Sequence, residues 1–464
     1  MKRLTWSVSV WLLAMAAVAA QQKKSTPVRA TPATAAGPTA AKICDDPYQV
    51  REPAEGWPEA PVYILFHREK SKAPWSRNPA IRIAGLEAAS PAGARTLVCV
   101  EEARIEMGRY ESGEAGYFLA WTITLMRLAD RKVYFMRGID GEKPPEIKWQ
   151  RGAGVGAPPT KMFADWLPLV VAQKVARLKT RLKPKEFHEA SAMAFSADGA
   201  KLVLAQEPRS TGSGTPPSPI TVFDLDTTQP VAAWHADYST RSVALSKSGN
   251  MVATERYGHV EVWDTASARV AHKLETSGVE SLLFGPDDRL GSAGGGKAAV
   301  WDIATERVLH SAQGSRVALS PAGEWLTVKK DPSGITVQAL ESGRMLDTFP
   351  RVGEQDKYYV SGDAHAMTRF SVLYATMYVA GTSDGRSLSL PNLGVNMLSA
   401  IAPTRDGFVF ANGDGIVGLA SASSPEPRVF ATDHTAIRAL AVSVDGKLLA
   451  VGDSSGNVSV WELR

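Results

Sequence analysis

From about residue 186 to the C-terminus, apolar and polar positions alternate in short runs, and the periodicity of an amphipathic helix is missing. Ile220-Thr221-Val222-Phe223-Asp224, Val260-Glu261-Val262-Trp263-Asp264, Ala298-Ala299-Val300-Trp301-Asp302 and Val458-Ser459-Val460-Trp461-Glu462 each read as a strand closed by an aromatic residue and an acid. Weaker copies stand at Ile335-Thr336-Val337-Gln338, Leu388-Ser389-Leu390-Pro391 and Val417-Gly418-Leu419-Ala420. The anchors Phe223, Trp263, Trp301, Gln338, Pro391, Ala420 and Trp461 lie 40, 38, 37, 53, 29 and 41 residues apart. A second motif accompanies the first. Ala194-Phe195-Ser196-Ala197-Asp198-Gly199 and Val442-Ser443-Val444-Asp445-Gly446 are two of its copies, and each joins two strands through a turn that needs Ser, Asp and Gly. Self-similarity at a period of about 40 residues predicts a repeat of small antiparallel sheets.

Upstream the texture differs. Pro61-Val62-Tyr63-Ile64-Leu65-Phe66 predicts a strand, and Arg95 to Tyr110 is similarly apolar. The β-rich stretch Gly116 to Arg137 breaks at Ala129-Asp130-Arg131, which predicts an antiparallel hairpin. Thr160 is placed to cap a helix through Trp166 and Leu167, where Pro168 ends or kinks it. Residues 44–175 therefore read as a small, mostly antiparallel α+β domain. Residues 21–43, rich in Ala, Pro and Thr, cannot bury a core and read as a spacer. Residues 1–20 carry Lys2 and Arg3, then an apolar run ending in Ala17-Val18-Ala19-Ala20, the pattern of a cleaved export signal. A retained anchor is the alternative, but the run is short and holds Ser7 and Ser9.

The repeats resemble those of WD40 proteins. That resemblance implies a mainly β fold: a seven-bladed WD40-like β-propeller over residues 176–464, preceded by the small α+β domain. The last copy stops after a third strand, and the family draws the missing fourth strand from ahead of its first repeat. Residues 176–185 fit that place, with Leu178, Thr180 and Leu182 on one face and Arg177, Lys179, Arg181 and Lys183 on the other. The same residues could instead extend a helix bearing Val171 and Val175. The family also places a His ahead of each repeat, in a buried network with the Trp. Here only His434 and His235 lie near that place, and Val451 stands where the family often has Ser. The network is therefore expected to be incomplete, with packing holding the blades.

Charge and chemistry narrow the function. The chain of 464 residues has a formal charge of +4, but its six N-terminal cations lie in the signal and spacer, leaving −2 for the remainder. That argues against nucleic acid as a partner. Cys44 and Cys99 are the only cysteines, and in an oxidising compartment a disulfide is favoured over two buried thiols. The eight histidines show no ligand spacing, so no metal and no cofactor are expected. Gly294-Gly295-Gly296-Lys297 lacks a following Ser or Thr and reads as a hairpin turn, not a phosphate loop. No catalytic residues emerge.

The expected function is a non-catalytic protein-binding scaffold, exported to the periplasm or secreted, with an envelope or extracellular protein as partner and no membrane span once the signal is removed. The alternative is a propeller enzyme or small-molecule sensor with its site at the channel mouth. In WD40 proteins the loops holding Tyr238, Arg241, Arg256 and Tyr257 lie on one rim, and Lys330 and Tyr358 could join them. Tyr and Arg are favoured interface anchors.

Overall fold

The computed structural model describes residues 2–6, 40–44, 54, 56–69, 71, 75–78, 81, 83–110, 112–143, 147–148, 154–208, 216–256, 258–276, 278–285, 287–314, 316–319, 324–331, 334–349, 357–360, 366–370, 377–381, 385–388, 398–421 and 427–464. The chain divides into two compact units, Met1–Ala172 and Gln173–Arg464. Residues 7–20 of the expected signal and 21–39 of the expected spacer lie outside the described residues.

The first unit is one mixed sheet with a helix on it. Its spine is the antiparallel pair Thr96–Tyr110 and Ala115–Arg127, flanked by Val133–Asp140 across the turn at residues 128–132. Val62–Arg68 runs parallel to the first half of Thr96–Tyr110 (Ile64 beside Val98), so the sheet is not wholly antiparallel. Lys2–Trp6 pairs antiparallel with the other end of that strand. Leu97, Val98, Cys99 and Val100 are all buried, because both faces of the sheet are covered there. Leu97 and Cys99 pack with Ile43, Leu65 and Trp75, and a disulfide joins Cys99 to Cys44 of the helix Ala40–Cys44. On the other face, Trp121 meets Phe163 of the helix Thr160–Val171, and Phe135 meets Trp166.

That helix corrects the expected boundary. Thr160 is its first residue and not its cap, and the helix runs through Pro168 to Val171. Phe163, Trp166, Leu167 and Val170 are fully buried at the spacing of one helix face, which outweighs the single backbone hydrogen bond that Pro168 removes.

The second unit is mainly β: seven four-stranded sheets, each antiparallel. Their third strands are Ser218–Asp224, His259–Asp264, Lys297–Asp302, Gly334–Ala339, Met377–Gly381, Ile416–Ser421 and Val458–Leu463. In the fifth sheet this corrects the sequence phase. Gly385–Leu388 is a fourth strand, not a third, and residues 389–391 of the weaker copy, with the anchor Pro391, lie outside the described residues. The third strands that begin at Gly334, Met377 and Ile416 lie 43 and 39 residues apart, and the irregular spacing disappears. The seventh sheet takes its fourth strand from Ala176–Leu182, which pairs antiparallel with Val458–Leu463, Leu182 opposite Val458.

The core lies between neighbouring sheets. Phe223 of the first sheet packs with Ala450 and Val460 of the seventh. Val222, on the opposite face of the same strand, packs with Val252 and Trp263 of the second. First strands of neighbouring sheets also pack side by side, including Ile437–Val442 of the seventh against Glu189–Phe195 of the first. Ser218–Asp224 is buried on both faces up to its last residue, whereas the outer strand Pro230–Ala236 is exposed at alternate residues. Gly295 and Gly296 form the two-residue hairpin turn between Leu290–Gly294 and Lys297–Asp302. Both have positive φ, 58° and 82°, which favours glycine.

Candidate functional site

Two of the expected rim residues of the second sheet, Tyr238 and Arg256, meet in a chain of hydrogen bonds that ends on a buried carboxylate. The Trp263 indole N–H donates to Thr254 Oγ1 at 3.0 Å, and Thr254 Oγ1 lies 3.1 Å from the Tyr238 hydroxyl. Tyr238 in turn donates to Glu261 Oε2 at 2.8 Å. With that donor assigned, the Thr254 hydroxyl donates to Tyr238, and every donor points towards one carboxylate. Glu261 is 3% exposed and also takes Arg256 Nη1 at 3.0 Å and His259 Nε2 at 3.2 Å. The Arg256 guanidinium lies 5.0 Å from the centre of the Tyr238 ring. Burial raises the Tyr238 phenol well above its ordinary range, with the Glu261 carboxylate adding to the effect. Burial alone would raise Glu261 too, but hydrogen bonds from Tyr238, His259 and Arg256 outweigh it and hold the carboxyl below its usual value.

Tyr238 and Arg256 are thus brought together, both half-buried, Tyr238 on the loop before Val243–Leu245 and Arg256 at the end of Met251–Arg256. Arg241 is on the same loop and exposed. Its backbone N–H donates to Glu255 Oε1, and that of Ser242 donates to Glu255 Oε2 at 2.7 Å. Burial raises Glu255 to about 7, against the opposing pull of those two N–H groups. Ser239 bonds Glu207 and the Thr240 carbonyl accepts from Ser191, so the loop is fixed at several points. Tyr257 lies outside the described residues. Lys330 lies in the second strand of the fourth sheet, Trp325–Asp331, and Tyr358 in the first strand of the fifth, Lys357–Val360. They belong to different sheets from the Tyr238 cluster.

The last sheet, where His434 was expected to take part, holds the counterpart of this chain and is complete despite Val451. Trp461 Nε1 donates to Ser459 Oγ at 2.8 Å, Ser459 Oγ lies 2.6 Å from His434 Nε2, and His434 Nδ1 lies 3.0 Å from Asp453 Oδ2. All four residues are buried. Burial would raise Asp453, but bonds from His434 and Asn457 hold it below its ordinary value. The hydroxyl missing at Val451 is supplied by Ser459, its register partner on the next strand. In the third sheet the first link recurs, Trp301 Nε1 to Ser292 Oγ at 2.8 Å.

Sequence reasoning gave no role to Thr254, Glu261 and Ser459. Each lies inside an alternating strand, where a lone polar residue gives no signal of its own. Among the described residues, no group of three or more His, Cys, Asp or Glu is placed to hold a metal ion. No helix among them is long and apolar enough to cross a membrane. What the second sheet offers is a loop tied down at Tyr238, Ser239, Arg241 and Ser242, with Arg241 exposed.

Residues 426–462 match the family described as WD domain, G-beta repeat. The match covers the seventh sheet's first three strands and the approach to them, including His434, Asp453, Ser459 and Trp461. Among curated proteins, none matches this chain. A WD40 repeat suggests a protein-interaction scaffold.

Proposed function

We propose that the seven sheets close into a seven-bladed WD40-like propeller that follows a small α+β domain and serves as an exported, non-catalytic scaffold for a protein partner. One observation carries this reading: Ala176–Leu182 completes the sheet that ends the chain, while that sheet's first strand packs on the first strand of the first sheet. The WD40 match at 426–462 supports the same conclusion. The Cys44–Cys99 disulfide supports export, because such bonds persist in oxidising compartments. In a closed ring, Arg241 and the strand ends that carry Lys330 and Tyr358 share the rim on which the loops between sheets enter, and the sequence adds Tyr257 as a candidate there. Tyr238 and Arg256 hold that rim in shape from beneath.

The test is affinity capture with cross-linking from the native envelope, using wild type and a variant combining Arg241→Glu with Tyr257→Ala. The expected result is one partner captured by wild type and lost by the variant at unchanged melting temperature. Equal capture by both would remove this rim from the proposal. Turnover in a hydrolase and dehydrogenase panel would instead favour the enzymatic alternative.

A further inference from the structure

Ala176–Leu182 is the outer strand of the seventh sheet: one edge pairs with Val458–Leu463, and among the described residues no strand pairs with the other. Lys174, Arg177, Lys179, Lys183 and Lys185, on this strand or just beside it, are all exposed. Among the described residues none of the five makes an ion pair or a side-chain hydrogen bond. Arg181 is a different case: it is bonded to Asp433 at 2.6 Å and is not counted with them.

The chain that follows the strand is anchored. Gln206, fully buried, donates from Nε2 to the carbonyls of Glu186 and His188 at 3.0 and 2.9 Å. The Glu186 carboxylate meets His188 Nε2 at 3.2 Å and His235 Nε2 at 2.8 Å. Phe187 stands between these two held residues and is 63% exposed, so the fold itself keeps its ring in water.

Cations on an edge strand deter pairing with another chain, which accounts for Arg177 and Lys179. It does not account for Lys183 and Lys185 beyond the strand, or for an exposed ring two residues further on. Neighbouring acids do not cancel the charge. Glu462 is the register partner of Arg177, Glu186 is engaged by two histidines, and Glu189 is taken by Arg438. Counting Glu462 and Glu186 in full against the five cations still leaves three positive charges.

We propose that residues 174–187 form a peripheral membrane contact, in which the five cations lie against anionic phospholipid headgroups and the Phe187 ring enters the boundary with the acyl chains. Four of the five are lysines, which are depleted at protein interfaces but suit a hydrated headgroup layer. A single-stranded nucleic acid calls for aromatic residues interleaved with the cations, whereas Phe187 stands only at the end of the run. Charge and one inserted ring are two weak signals that together give reversible attachment. This contact adds to the protein docking proposed above and does not depend on it.

Sedimentation of the full chain with vesicles tests the proposal, using phosphatidylcholine alone and its equal mixture with phosphatidylglycerol. Residues 1–20 are common to wild type and every variant, so the differences report on residues 174–187. Lys179→Gln, Lys183→Gln and Lys185→Gln combined should weaken binding to the mixed vesicles about a hundredfold, at about fivefold per cation. The melting temperature should not move, since the three side chains are exposed and make no ion pair. Phe187→Ala should weaken binding about tenfold, and added salt should weaken wild type. A local reading comes from Phe187→Cys carrying a polarity-sensitive fluorophore, because Cys44 and Cys99 are paired with each other. Its emission should shift to the blue with the mixed vesicles and not with phosphatidylcholine alone. Binding unmoved by the triple variant or by Phe187→Ala, a fluorophore that stays in water with both vesicles, or tighter binding of an oligonucleotide than of the mixed vesicles would overturn the proposal.

Discussion

Val451 faces Ser459 across the seventh sheet, and Thr254 faces Glu261 at the same two places of the second. In the second sheet the hydroxyl sits on the second strand and the acid on the third. In the seventh the hydroxyl has moved across the register to the third strand, and Asp453 of the second supplies the acid. Both arrangements satisfy the buried Trp N–H, which is costly to leave unpaired. Ser459→Ala should therefore cost about 1–3 kcal/mol in urea unfolding, because Trp461 Nε1 and His434 Nε2 lose their shared partner. Adding Val451→Thr should recover at least half of that loss by restoring the hydroxyl where Thr254 has it. No loss in the single variant, or no recovery in the double, would show that the two positions are not interchangeable. Glu255 gives a pH-dependent counterpart. Its folded value of about 7 lies above the ordinary 4.5, so the folded chain holds its proton more tightly. Its contribution to stability is full below pH 4.5 and is lost as pH rises through 7. Relative to Glu255→Gln, wild type should lose about 1–3 kcal/mol between pH 4.5 and 8, read from urea midpoints at each pH. A difference that stays flat or grows over that range would refute the assignment.

Which elements could be read from the sequence depended on how they are buried. Third strands such as His259–Asp264 lie between two neighbouring sheets and carry Val, Trp and a closing acid, so they stood out. Met377–Gly381 occupies the same place in the fifth sheet but ends in Ala and Gly, and the nearest alternating run downstream was taken in its stead. Ala176–Leu182 was legible because an edge strand with one wet face alternates, and Leu178 and Leu182 are indeed buried while Arg177 and Lys179 are exposed. The helix Thr160–Val171 was legible in its start region and not in its end. Pro168 is a local signal, whereas the burial of Val170 and Val171 against the rest of the unit is not. The candidate site was the least legible part. Tyr238 and Arg256 are 18 residues apart in sequence, and only the pairing of strands places Glu261 between them.

At the scale of the whole chain, the two compact units differ in what ties distant segments together. In the second, strands distant in sequence complete one sheet, Ala176–Leu182 against Val458–Leu463, and there is no cysteine. The first has its own core and one covalent tie, Cys44 to Cys99, 55 residues apart. Closing a loop of that length restricts the unfolded chain and stabilises the folded unit by about 4 kcal/mol. The tie lies wholly within the first unit, so replacing Cys44 and Cys99 with Ser should lower the thermal transition of that unit and leave the other in place. Hydrogen exchange along a temperature series can assign each transition, with Thr96–Tyr110 and Val458–Leu463 as reporters. The expected result is earlier exchange in the first reporter and an unchanged profile in the second. If both reporters open together at a lower temperature, the units unfold as one, and the disulfide governs the stability of both.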